Sequence, residues 1–254
     1  MRVIRSILSL GAIIMLAGAA GCTSGSGAGG RKGTMAYAVQ PIGQRFEIDG
    51  DWDKAAWRDI KPLELTHFMG KRPEHFPKTQ ARFAYDPRAV YVIFRVEDRY
   101  VRAVAKAHQD PVCLDSCVEF FFTPGRDPAA GYFNLEMNCG GTMLLAHQLL
   151  PRADSVSVND EDLERIQVAH SMDRIVDPEI VEPTTWTVEY RLPIELLAKY
   201  RPGLERPAPG VTWRANVYKC ADKSSKPHWL TWAPVRHPTP DFHRPEFFGT
   251  FEFK

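Results

Sequence analysis

Short runs of apolar or alternating apolar and polar residues recur along this chain between turn-forming residues. The clearest are Ala81–Tyr85, Val90–Val96, Cys117–Thr123, Tyr132–Cys139, Met143–Leu149, Arg165–Ala169, Trp186–Leu192, Trp213–Cys220, His228–Thr231 and Phe248–Phe253. Period-two alternation sends successive side chains to opposite faces of a strand, so the pattern predicts an all-β sandwich. No repeat and no second linker interrupts it, and one domain is expected over residues 37–254. Asp51–Trp57 and Pro193–Tyr200 are expected as short peripheral helices, the second opened by proline in its first turn.

Parity fixes the hairpin that joins Cys117–Thr123 to Tyr132–Cys139. Matching apolar to apolar sets Val118, Phe120 and Phe122 beside Phe133, Leu135 and Met137. The other register would bury three unpaired polar side chains, at about 1–3 kcal/mol each. The opposite face then carries Glu119, Phe121, Asn134, Glu136 and Asn138, and is expected to be exposed. The following Gly140-Gly141 predicts a two-residue turn, because both positions can take φ > 0; that turn would add His147 to the polar face. Glu119 and Glu136 side by side repel unless something bridges them. Carboxylates, amides and an aromatic on one surface suit a sugar, and the paired carboxylates suit a cation such as calcium. A solvated outer sheet face is the plainer alternative.

Composition narrows the function. The formal net charge is +1 over 254 residues, which offers no electrostatic footprint for nucleic acid or anionic lipid. Residues 1–21 read as a signal peptide, with Arg2 and Arg5 before an apolar run from Ile7 to Ala20. The run ends in Ala19-Ala20-Gly21-Cys22, which resembles a bacterial lipobox with Cys22 as the lipid attachment site. Residues 22–36 then form a Gly/Ser-rich tether. An exported lipoprotein follows, periplasmic or at the cell surface and held to the membrane only through its lipid. Cys113, Cys117, Cys139 and Cys220 could form two disulfides by any of three pairings.

Other candidates are weaker. Trp229 and Trp232 fall on opposite faces of a strand, so one is core and the other is a candidate stacking platform. Trp186 and Trp213 are expected in the core. Lys219, Asp222 and Lys223 are expected in a solvated loop or rim, and Asp160-Glu161-Asp162 in a solvated loop. Phe242 and His243 lie in a loop between prolines, where binding residues often sit. No H-E-x-x-H or G-x-S-x-G occurs. Glu119 and Glu136 on a flat, solvated face would lack the desolvation that splits the pKa values of a glycosidase pair.

Four segments together resemble carbohydrate-binding modules of family 9, and more closely the family 9-like domains of exported bacterial proteins. They are Ile48-Asp49-Gly50-Asp51-Trp52 through Trp57, Ala84-Tyr85-Asp86 through Asp98, Asp115 through Phe121, and Phe242 through Gly249. The resemblance implies a jelly-roll-like antiparallel sandwich, structural calcium, and a site for sugar chain ends clamped by two tryptophans. By position the family's site glutamate falls on Glu119, its arginine near Asn134 and its second clamp tryptophan on Phe242. The first has no counterpart, since Asp110-Pro111-Val112-Cys113 stands there. The expected function is non-catalytic binding of oligo- or polysaccharide, with Glu119, Asn134, Glu136, Phe242, His243 and Trp229 as contacts. Two alternatives stand beside it: a b-type haem domain using Met137, Met143 and His147, and an envelope scaffold without small ligand.

Overall fold

The computed structural model describes residues 35–254; the expected signal peptide, Cys22 and most of the tether lie outside the described residues. Two sheets face each other across a core. In spatial order the first runs Asp154–Ser157, Met143–Leu150, Tyr132–Asn138, Cys117–Thr123, Thr212–Cys220, Gly249–Phe253 and Ala36–Pro41. The second runs Lys78–Asp86, Ala89–Asp98, Thr184–Pro193 and Gln167–His170. Ala36–Pro41 belongs to both. Ala36 to Val39 pair in parallel with Gly249–Phe253, and Gln40 and Pro41 pair in parallel with Ala84 and Tyr85. The other neighbours in these two sheets are antiparallel. The result is the expected all-β, jelly-roll-like sandwich with short peripheral helices.

Alternate residues of both sheets fill the core, as period-two patterning requires. Phe83, Phe94, Phe120, Phe122, Trp186, Trp213 and Phe251 belong to one buried cluster. Phe122 stacks on Trp213 with centroids 5.4 Å apart and planes 9° apart. Trp186, Trp213 and Trp232 are core residues.

Several local expectations need correction. The first helix is only Ala55–Arg58, and Pro193 immediately precedes the helix Ile194–Tyr200. Asp160–Leu163 is a short helix rather than a solvated loop, capped by Asn159. Its Asp162 is buried and accepts bonds from Lys199 and Tyr200, which hold its carboxyl down at about 2. Cys113, Cys117, Cys139 and Cys220 are all free thiols rather than disulfides.

The Gly-Gly turn has three residues, not two. Asn138 N–H bonds Thr142 O at 3.0 Å around a loop of Cys139, Gly140 and Gly141, and Met137 stands opposite Met143. Gly141 has φ +79°, the left-handed position that a three-residue hairpin loop needs. Asn138 stabilises the loop by accepting from Gly140 and Thr142 N–H and donating to Asp115. An odd loop inverts the parity of the following strand. His147 therefore faces inward against Phe133, with ring centroids 4.7 Å apart. Gln148 takes the outward parity instead.

Candidate functional site

The outward face of the first sheet is the floor of the site. Glu119 pairs with Glu136 across the hairpin and Phe121 with Asn134, in the register that the apolar matching requires. On the other flank Tyr218 stands beside Glu119. Glu119, Asn134 and Glu136 thus share one face, but not an exposed one: Glu119 is 2% and Glu136 6% accessible.

A second apolar cluster covers this face. It contains Phe121, Tyr132, Tyr218, Phe242 and Phe248, with Trp229 and Cys113 packed against it. Phe242 is buried and stacks on Tyr218 with centroids 4.1 Å and planes 9° apart, and its carbonyl accepts the Tyr218 hydroxyl. It is a packing residue as well as a wall of the site. His243 bonds the Tyr132 hydroxyl through Nδ1 at 2.7 Å and meets Phe121 edge-on. Between floor and cover lies a cleft of about 460 Å³, lined by Glu119, Phe121, Asn134, Glu136, Trp229, Phe242 and His243 among others.

The floor is a chain of planar polar groups. Gln148 donates to Asn134 Oδ1, and Asn134 donates to Glu136 Oε1, each at 3.0 Å. The Cys220 thiol donates to Glu119 Oε1 at 3.1 Å, whereas Glu119 Oε2 is buried without a partner. Burial, and then the neighbouring Glu136, push the Glu119 carboxyl well up. Burial raises Glu136 to about 7. The flat, solvated setting expected for this pair is therefore replaced by a desolvated one. Asp222 is also raised by burial, although it accepts Trp229 Nε1 at 2.8 Å. Burial and then Arg152 lower His243 to about 4, leaving it neutral.

All six residues expected to contact ligand line this cleft. Gln148, Arg152 and Asp241 join them and were missed. Gln148 followed from parity once the loop length was known; Arg152 and Asp241 lie on separate loops with no local signal. Trp229 lines the cleft while Trp232 is core, as their spacing requires. Lys219 corrects the expected rim: it is fully buried on the inner face, where Nζ lies 2.8 Å from His228 Nε2 and 3.5 Å from Asp98 Oδ2. Met137, Met143 and His147 all face inward and line neither this cleft nor a larger cavity beside Ala36–Pro41, so the haem alternative loses its ligand set. That larger cavity, about 1110 Å³, is lined by no buried polar side chain lacking a partner.

The cleft's one cluster of metal-ligating side chains does not suit calcium. Among the described residues, one group of three metal-ligating side chains is close enough to share an ion, Cys117, Glu119 and Cys220. Two thiols and one carboxylate are not the cage of six to eight oxygens that calcium takes. Near Asp49 the buried Glu189 carboxylate is already occupied by Lys54, Trp57 Nε1 and two backbone N–H groups.

The model of carbohydrate-binding family 9 matches residues 50–253. A Bacteroides uniformis protein assigned to carbohydrate binding has a crystal structure with a TM-score of 0.78 and 27% identity, covering 87% of this chain and 100% of that one. A family 9 module from Caldicellulosiruptor kristjanssonii, solved with cellotriose, has a TM-score of 0.58 and 13% identity over 87% of this chain and 94% of its own. The same organism's module with glucose gives 0.56 and 14% over 87% and 96%. No curated protein matches the chain.

Proposed function

The chain belongs to carbohydrate-binding family 9, and we propose on that basis that it binds saccharide without transforming it, in the cleft floored by Glu119, Asn134, Glu136 and Gln148. The observation that carries this reading is the floor itself: linked amides and carboxylates, with Glu119 Oε2 unpaired, lie beside the floor aromatic Phe121 and beneath the walls Trp229 and Phe242. Sugar hydroxyls need such donors and acceptors, and sugar C–H faces need such rings. The cleft has the size of a small-molecule site, for which about 300–1,000 Å³ is usual, so it takes the end of an oligo- or polysaccharide rather than a long run of polymer. Glu119 and Glu136 rise from adjacent strands of one floor and meet a ligand from the same side, whereas glycosidase carboxylates flank the scissile bond.

Calorimetric titration with soluble oligosaccharides tests the site. Saccharide binding that Asn134→Ala or Trp229→Ala weakens at least about tenfold, roughly 1.4 kcal/mol, supports it. Binding to no saccharide, or reducing ends released by the wild type and not by Glu119→Gln, overturns it.

The same proposal places the module on an exported lipoprotein anchored through Cys22. Arg2 and Arg5, the apolar run, the small residues before Cys22 and the Gly/Ser tether support this. A palmitate analogue should label the wild type and not Cys22→Ser; equal labelling would sink the anchor.

A further inference from the structure

The cleft is built with more negative charge than it neutralises. Four carboxylates line it, those of Glu119, Glu136, Asp222 and Asp241, against one guanidinium, that of Arg152. Arg152 is already bonded to Asp241 at 3.1 Å and its side chain is 64% accessible, so it stands at the rim. Asp241 has Arg244 as a second cation at 2.9 Å. Lys219 is sealed on the other face of the sheet. Lys223, next to Asp222, is exposed. Glu119 and Glu136, which face each other on adjacent strands, are left with an amide and a thiol as their only hydrogen-bond donors.

We infer that the ligand itself brings the missing positive charge, and that the cleft selects a saccharide carrying a free primary amine, whose ammonium sits between Glu119 and Glu136. This rests on the saccharide reading above and specifies its class. Two further features fit an ammonium. It has three donors and no acceptor, which matches a floor offering Glu119 Oε2 and the Glu136 carboxylate side by side. The rings of Phe121 on the floor and of Trp229 and Phe242 on the walls favour a nearby cation as well as sugar C–H groups. An N-acetylated or neutral sugar can donate hydroxyls to the same oxygens but brings no positive charge to the pair. The titratable groups facing the pair are Asp222, Asp241, Arg152, His243, Cys113, Cys117, Cys220, Tyr132 and Tyr218. Of these only Arg152 is a cation, since His243 is held neutral and burial keeps the thiols and Tyr132 protonated.

The test is calorimetric titration of the whole protein with three trimers: a β-1,4-linked glucosamine trimer, its fully N-acetylated form, and cellotriose. At about pH 6 the amine is protonated. The free-amine trimer should bind at least about tenfold tighter than the other two, and its binding should release a proton to the buffer, because the ammonium displaces the proton that the empty pair shares. Glu119→Gln and Glu136→Gln should each bring the ratio of free-amine to cellotriose affinity close to one, whatever they do to the affinity for all three trimers. Both substitutions keep the shape of the side chain and remove a buried charge, so a retained thermal transition shows that the fold survives. Equal affinity for the free-amine and neutral trimers overturns the inference and leaves saccharide binding standing. Binding of none of the three overturns both.

Discussion

Lys219 and Cys220 are consecutive residues of one strand, and they belong to two buried acidic clusters on opposite faces of the same sheet. On the inner face Asp98 is met by His75 Nε2 at 2.6 Å and by Lys219 Nζ at 3.5 Å. Burial pushes the Asp98 carboxyl up, but Lys219, His75 and His228 outweigh it and hold the group well below its usual range. On the outer face Glu119 and Glu136 have comparable burial and no such cation, and both are pushed up. Burial alone does not distinguish a structural carboxylate from a binding one. Compensation does: the inner acid completes an ion pair that joins the two sheets, while the outer acids are left for something outside the chain.

Breaking the inner pair should have the largest effect. Lys219→Met leaves Asp98 buried without its ammonium and should cost about 3–5 kcal/mol in urea denaturation, with partial recovery in the Lys219→Met, Asp98→Asn double variant. A loss below about 1 kcal/mol would mean that the inner cluster is not held by compensation. Next comes the cover of the outer cluster. Phe242→Ala removes a ring stacked on Tyr218 and should cost about 3 kcal/mol, besides weakening saccharide binding. An unchanged melting temperature would show that the cover is not packed on the floor.

The smallest effect has the opposite sign. The Glu119 and Glu136 carboxyls are raised in the folded state, so their contribution to stability is full below the ordinary glutamate value of 4.5 and is lost as pH rises, for Glu136 through about 7 and for Glu119 through its own raised value. Asp98 behaves inversely: its contribution is full above 3.8 and is lost as pH falls further. Glu119→Gln should therefore gain stability at about pH 8, gain little at about pH 5, and flatten stability between them. Equal slopes in wild type and variant would show that the outer pair is not strained by its own charge.

Alternation made the Glu119–Glu136 pairing legible, because one register alone keeps the polar residues of this hairpin off the inner face. It could not show that the polar face is covered. The cover comes from Trp229 and Phe242, about a hundred residues away, and period-two patterning reports which face a residue takes, not what later packs there. The same blindness hid Lys219, which occupies an apolar-parity position and is stabilised by groups on distant strands. His147 was misplaced by a single residue of loop length, since Gly140-Gly141 suits a two-residue turn as well as the three-residue loop that Asn138 stabilises. Short strands such as Asp154–Ser157, exposed throughout, carry no alternation to read.

Ala36–Pro41 has a mechanical consequence. Its parallel ladder to Gly249–Phe253 ties the first described strand to the last, with the two chain ends leaving in opposite directions. A pull applied between them loads that ladder lengthwise, so its hydrogen bonds must slide and fail together rather than unzip one at a time. Gln40 and Pro41 extend the same strand into the second sheet, and tension therefore reaches both layers of the sandwich at once. The unfolding rate under load, not the equilibrium stability, sets how long such a domain holds.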